Sequence, residues 1–342
     1  MSSKFQPVLI IGGSGVVGTQ AAKIIRRLHP TLPIAIGGRD LGKAEAVARE
    51  VGSAIGVSVD LGRADLGLGD EARFGAVVIF LKDEKLSSMR YAQRHGIPYI
   101  SLSSGTFEVG PEMAQYIHAP DKAPILLASH WLAGAAIFPI LEFTKVYEAI
   151  DTIRIGALLD EQDMGGPAAL ADYNRITGLA PAALTVKDGK LHWAGGEDSK
   201  ARYRSVDGVE LDAVAYSPFD VMALAARTNA GNIRLDLAYS ESASRRRGEA
   251  FSTEIVIDLV GRGQDGQPLE RRHEIVHPEG QAPLTALGVA LAVERMLGLA
   301  GGEAPTPGLY LPEVLIDPAY YVRRMEEFGA SFAVWPEAAE AA

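Results

Sequence analysis

The chain has 342 residues, a length that predicts two domains rather than a single core. Hydrophobic residues make up 47% and charged residues 22%, as in folded globular proteins, and no stretch approaches the roughly 18 apolar residues of a membrane helix. The absence of cysteine excludes disulfides and thiolate chemistry, and a formal charge of −10 argues against a nucleic-acid partner, which needs clustered Lys and Arg. The one basic cluster, Arg245-Arg246-Arg247, is too short to reverse that. The opening MSSKFQPVLIIGG has no signal-peptide pattern, so no membrane is expected and a cytoplasmic setting is. The acidic, Ala-rich end from Glu337 is expected to fray.

The first third repeats one rhythm, a short apolar run followed by an amphipathic segment. Strands are predicted at Pro7–Ile11, Pro33–Ile36, Ala54–Val59, Ala76–Leu81, Pro98–Leu102 and Pro124–Ala128. Helices are predicted between them at Val16–Leu28, Leu41–Val51 and Leu86–His95. Strands spaced by helices give right-handed crossovers and a parallel, doubly wound sheet, the Rossmann arrangement. The fold class is therefore α/β over residues 1–130.

Between the first strand and first helix stands Gly13-Ser14-Gly15-Val16-Val17-Gly18, a G-x-G-x-x-G turn. Gly13 is expected to permit the tight turn, Gly15 to let backbone approach a pyrophosphate, and Gly18 to let helix and strand pack closely. The helix N-terminus adds free N–H groups for the phosphates. After the second strand comes Gly38-Arg39-Asp40. Arg39 suits a 2′-phosphate, which points to NADP rather than NAD. Asp40 is either the acidic residue of an NAD site or the N-cap of the following helix. Asp60, ending the third strand, is either near the adenine or a turn residue.

After His130 the rhythm changes. Trp131–Tyr147 is apolar with helical spacing, and strands are predicted at Asp151–Leu159, Asn232–Tyr239, Phe251–Val260 and Leu269–Val276. The Asp265-Gly266 turn marks a hairpin between the last two. These describe an α+β domain on a mainly antiparallel sheet over 131–304. Thr285–Leu297 is an apolar helix, and Pro305–Pro312 a loop. The apolar helices at Trp131 and Thr285 serve either the chain's own core or a homodimer interface.

VLIIGGSGVVG, IGGRD, Thr285-Ala286 and PGLYLPEVLIDP (Pro307–Pro318) together resemble the saccharopine dehydrogenase (saccharopine reductase-like) family. The resemblance covers both ends of the chain and little of 160–250. It implies NAD(P)-dependent redox chemistry at a C–N bond, an inserted α+β domain, and a segment 305–342 returning to the first domain. Distant relatives include enoyl reductases, so reduction of C=C or C=O bonds stays open beside it. Lys82, in IFLKDE, resembles the acid/base lysine of lysine-forming saccharopine dehydrogenases.

Ligands of open α/β sheets bind beyond the strands' carboxyl ends, which singles out residues after the fourth, fifth and sixth strands. Lys82 is a catalytic and cofactor-side candidate; the alternative is a solvated lysine opening a helix at Glu84. Ser103, in SLSSGT, reaches the cofactor or belongs to a helix cap. His130 is the candidate general acid, because imidazole titrates near neutral pH. Tyr173 and Arg227 are candidate substrate contacts, Arg227 for a carboxylate. Asp160 and Asp163 have no nearby His at ligand spacing, and no metal is expected. The expectation is an NADP-dependent oxidoreductase for a small C=N or CH–NH substrate; the rival is a protein that senses NADP without chemistry.

Overall fold

The computed structural model describes residues 5–69, 72–163, 165–180, 182–299 and 301–336. The acidic tail from Glu337 lies outside them. The chain forms two compact units, one running to Ser129 and taking in Thr285–Asp317, the other His130–Leu284 with the chain from Pro318.

The first unit opens with β1 (Val8–Ile11), β2 (Ile34–Gly38), β3 (Ala54–Ser58), β4 (Ala76–Ile79), β5 (Tyr99–Ser101) and β6 (Pro124–Leu127). Helices Val16–Leu28, Leu41–Val51 and Ser87–His95 form where apolar spacing places them. A further helix, Val109–Ile117, precedes β6. Burial explains the strand sequences: every residue of β1, β4 and β6 is buried, as expected of strands covered on both faces. Asp40 is the N-cap of Leu41–Val51, its Oδ1 accepting the Lys43 N–H at 3.1 Å.

The second unit contains β7 (Tyr147–Asp160), β8 (Ala182–Lys187), β9 (Lys190–Gly195), β10 (Lys200–Arg204), β11 (Glu210–Ala215), β12 (Asn232–Ser240), β13 (Thr253–Gly263) and β14 (Pro268–His277). Helices Pro167–Leu179 and Phe219–Arg227 interrupt them. Gly266, at φ +75°, turns β13 into β14 as the Asp-Gly signal predicts. Two strands follow late in the chain, β15 (Gly308–Tyr310) and β16 (Ser331–Trp335).

The first sheet has seven strands in the order β15-β6-β5-β4-β1-β2-β3, all neighbours parallel. The order reverses beside β1, where a doubly wound sheet opens its crevice. The second sheet has nine strands and is mixed. Its β7 and β12 run parallel while the other neighbours are antiparallel.

Four sequence expectations differ from this structure. Trp131–Tyr147 is not one helix: Leu132, Ala133 and Gly134 have φ of 47°, 55° and 118°, which stops a right-handed helix until Ile137. The segment Pro305–Pro312 is not all loop, since β15 pairs with β6. The helix spans Gln281–Met296, and its body from Thr285 belongs to the first unit instead of a second domain ending at 304. Glu294 ties it there through His29, at 2.9 Å. Only 305–317 of the terminal segment joins the first unit. Beyond it, Tyr321 stacks on Phe138 at 4.1 Å and β16 pairs with β14, both within the second unit. The apolar stretches at Trp131 and Thr285 are buried within the chain itself, with Ala286, Leu287 and Val289 at 0% exposure.

Candidate functional site

The glycine turn is built by exclusion of side chains. Gly12, not Gly13, supplies the positive φ of +82°. At Gly13 a Cβ would stand 2.7 Å from the Ile10 carbonyl oxygen, and at Gly18 one would stand 2.3 Å from that of Gly12. Both positions therefore admit only hydrogen. Gly15 is different: its Cβ would meet only the Gly12 oxygen, at 3.2 Å, and the residue is exposed. Gly15 is the extended N-cap of Val16–Leu28, with no side-chain cap and no acidic residue in the first turn. The N–H groups of Val16, Val17 and Gly18 begin the helix without intrahelical acceptors. Val16 is exposed and Val17 half-buried, so this turn offers donors and a positive dipole end to an anion.

Ser14 lies beside the end of β2, where a Cβ on Gly38 would stand 3.4 Å from its Oγ. Arg39 follows Gly38 and is exposed. The glycine turn and the Arg39 backbone are thus brought together, as the spacing predicts. Asp60 is exposed and closes its own turn, Oδ1 accepting the Gly62 N–H at 2.8 Å.

A second cluster gathers after β4 and β5. Lys82 does not open a helix; the next one starts at Ser87, after Leu86 at φ 52°. Its Nζ donates to Ser104 Oγ at 3.4 Å and stands 3.6 Å from Glu108 Oε1. The other Glu108 oxygen accepts the Gly105 N–H at 2.8 Å. Ser103 is buried, and the Ser104 N–H donates to Ser129 Oγ at 3.1 Å. Beneath them Glu112 is only 2% exposed, with Ser101 Oγ donating to its Oε1 at 2.9 Å. Burial pushes the Glu112 carboxyl above the usual range, against the Ser104 and Ser101 hydroxyls and the Lys82 charge. Sequence reading missed Glu108 and Glu112. Their four-residue spacing, which places both on one side of a helical stretch, was the available signal.

In the second unit His130 is 5% exposed, its ring edge-on to Phe219 with centroids 6.0 Å apart. Burial lowers its pKa to about 3. At neutral pH it is therefore an uncharged imidazole, a correction to its expected role as a charged proton donor: desolvation disfavours the cation. Trp131 meets Tyr216 edge-on at 5.9 Å, and Tyr216 lies 6.3 Å from Tyr173, so the three form one aromatic wall. Tyr173 sits on Pro167–Leu179 and is half-buried. Arg227 is exposed at the end of Phe219–Arg227, where a cation complements the helix dipole. Asp160 and Asp163 serve separate structural roles. Asp160 binds the Ser242 N–H at 2.7 Å and Arg245 at 2.8 Å, while Asp163 takes the Gln281 N–H at 2.6 Å. Among the described residues no group of three or more acidic or histidine side chains is arranged to hold a metal, and no helix is long and apolar enough to cross a membrane.

No protein-family model matches the chain, and neither does any curated protein. Solved structures do match it. Saccharopine dehydrogenase (L-Glu forming) from Saccharomyces cerevisiae aligns over 96% of this chain and 99% of its own, at 14% identity and a TM-score of 0.67. An oxidoreductase from Agrobacterium radiobacter, in complex with NAD+, L-tartaric acid and magnesium, aligns over 94% and 95%, at 14% identity and a TM-score of 0.50. The chain therefore shares the two-part fold of these proteins, a parallel Rossmann-like sheet and a mixed sheet.

Proposed function

We propose that this protein is a nicotinamide dinucleotide-dependent oxidoreductase that prefers NADP to NAD and acts on a small C=N or CH–NH substrate bearing a carboxylate. The observation that carries the reading is the glycine turn. Side chains are excluded at Gly13 and Gly18, backbone is open at Gly15, and Arg39 follows the strand end that touches Ser14. The residues present fit a dinucleotide. Gly13, Ser14, Gly15, Val16, Val17 and Gly18 would hold its pyrophosphate, and Arg39 a 2′-phosphate. Asp60 and Ser103 would contact its remaining polar groups. The bound cofactor would supply the hydride.

The chain's own part is orientation and one proton. Lys82, held between Ser104 and Glu108, carries that proton at Nζ. Within the second unit we propose Tyr173 and Arg227 as substrate contacts, Arg227 by a two-pronged hydrogen bond to a carboxylate. The preference for C–N chemistry over C=C or C=O reduction rests on the resemblance of VLIIGGSGVVG, IGGRD and PGLYLPEVLIDP to saccharopine dehydrogenases.

Titration with NADPH and NADH, followed by nicotinamide fluorescence, tests this. The expected result is tighter NADPH binding that weakens in Arg39→Ala. Binding of neither nucleotide overturns the reading.

A further inference from the structure

Helices Ser87–His95 and Val109–Ile117 leave a groove between them of about 1110 Å³, at the upper end of what small-molecule sites hold. Small side chains keep it open: Pro111, Ala114 and Ala119 stand where bulkier residues would fill it. Its floor is a chain of hydrogen bonds that ties the two helices together. Arg90 Nε donates to Gln115 Oε1 at 2.9 Å, Gln115 Nε2 to Gln93 Oε1 at 2.8 Å, and Gln93 Nε2 to the Ala119 carbonyl at 3.3 Å. The lining residues all lie in the first unit, and neither the glycine turn nor Arg39 is among them.

The charges of the groove are unbalanced, because two of its three carboxylates are already occupied. Asp83 is buried and accepts the Ser88 N–H at 2.7 Å and the Ser88 hydroxyl at 2.6 Å. Glu108 faces Lys82 at 3.6 Å and takes the Gly105 N–H at 2.8 Å. That leaves Glu84 against four exposed cations, Lys85, Arg90, Arg94 and Lys122. Three of these are held by neutral acceptors: Arg90 by Gln115, Arg94 by the Ala64 carbonyl, and Lys85 by the Gly62 carbonyl at 3.3 Å. A neutral acceptor fixes a guanidinium without cancelling its charge, and each fork keeps further N–H donors for a ligand. The chain as a whole carries a formal charge of −10, so the groove runs against its overall field.

We propose that this groove binds a small polyphosphoryl anion without an aromatic ring, held by Arg90 and Arg94 from one helix and Lys122 from the turn after the other. The lining selects the class. It contains no Phe, Tyr or Trp on which a base could stack, and a single leucine, Leu86, so it offers no anchor to a nucleobase or to a protein partner. Arg90 and Arg94 are four residues apart on one helix face, near enough to reach the same group. A phosphoryl group brings close to two charges on three oxygens and can take forks from both, where a carboxylate has one charge on two oxygens. His118 lies in the same lining and reports on occupancy. The site goes beyond the dinucleotide reading and does not depend on it.

The test titrates the full-length protein with sodium pyrophosphate at fixed ionic strength and without nucleotide. It follows the His118 ring resonances by NMR, assigned by their loss in His118→Gln. A saturable shift is expected with pyrophosphate, and citrate should bind several-fold more weakly. Arg90→Gln combined with Arg94→Gln should weaken pyrophosphate binding about 10-fold or more, the worth of a charged hydrogen bond. Lys122→Gln, at an exposed side chain outside the Gln93–Gln115 chain, should weaken it several-fold and leave the fold intact. Arg39→Ala and Gly15→Ala should leave the His118 titration unchanged. Absence of a saturable shift, citrate binding as tight as pyrophosphate, or an affinity unaltered in both the double arginine and the Lys122 variants overturns the assignment. A titration weakened by Arg39→Ala also overturns it, by placing the pyrophosphate at the glycine turn. Failure of NADPH to bind would remove the proposed function and leave this site standing.

Discussion

The buried carboxylate of Asp220 accepts the backbone N–H of Trp131 at 2.5 Å, across 89 residues of sequence. It thereby pins the start of a turn in which Leu132 and Ala133 are both left-handed. Each such residue costs about 1–2 kcal/mol, so the turn persists only because its surroundings hold it. Tyr321 holds the other side, its hydroxyl donating to the Ala133 carbonyl at 3.2 Å. Replacing Asp220 by Ala leaves the Trp131 N–H buried without that acceptor. The expected loss is about 1.5–3 kcal/mol, the range for a hydrogen bond to a charged group. Urea unfolding of the variant measures it, and a loss near zero would show that the turn holds itself.

The glycine turn separates folding from binding. Gly18→Ala places a methyl 2.3 Å from the Gly12 oxygen and 2.7 Å from the Gly13 Cα, so backbone must move. This variant should lose both thermal stability and dinucleotide binding. Gly15→Ala meets one atom, at 3.2 Å, and points its methyl outward. It should unfold within a few degrees of the parent while NADPH affinity falls. Equal binding losses with equal stability losses would deny Gly15 its separate role.

Arg39 should set the choice between cofactors. In Arg39→Asp a carboxylate replaces the cation after β2, which suits a ribose 2′-hydroxyl and repels a 2′-phosphate. NADPH affinity should fall about 10- to 100-fold, the worth of a charged hydrogen bond, while NADH affinity holds or improves. Fluorescence titration of the variant with both nucleotides checks this. A parallel drop for both would place the 2′-phosphate elsewhere.

Acid should destabilise the protein through its buried histidines. Burial lowers His130 to about 3 and His273, stacked on Phe143 at 3.9 Å, to about 4. Unfolded histidine titrates near about 6.5. Below that pH the unfolded chain binds more protons, so stability present at pH 7 is lost as pH falls toward the folded values. Asp163, Asp236 and Asp258, whose carboxyls burial pushes up, act with the opposite sign at lower pH. The informative comparison is therefore between wild type and His130→Gln in unfolding experiments from pH 7 to pH 4. The variant should show the shallower loss; identical slopes would mean that His130 is protonated in the folded state.

Much of the first unit was legible because its signals are local. Val16–Leu28 and Leu41–Val51 appear with the ends that their apolar spacing predicts, since helix periodicity and a nearby cap such as Asp40 act within a few residues. Gly13, Gly15 and Gly18 likewise declare themselves by spacing. The second unit was less legible. Leu132 and Ala133 read as helix formers, and only contacts from Asp220 and Tyr321 turn them left-handed. The strand Gly308–Tyr310 is half-buried and three residues long, and it exists because β6 offers it an edge.

The sequence by itself determined the glycine turn, the alternation of strand and helix, and the placing of Arg39 after the second strand. These depend on residue type and short-range period. Tertiary structure alone decided the charge state of His130, which follows from its desolvation. It also decided which unit claims the helix around Glu294, and the gathering of Lys82, Ser104, Glu108 and Glu112 beyond the ends of β4 and β5. Burial and proximity between residues distant in sequence belong to the folded chain, because the cost of removing a charge from water depends on everything packed around it.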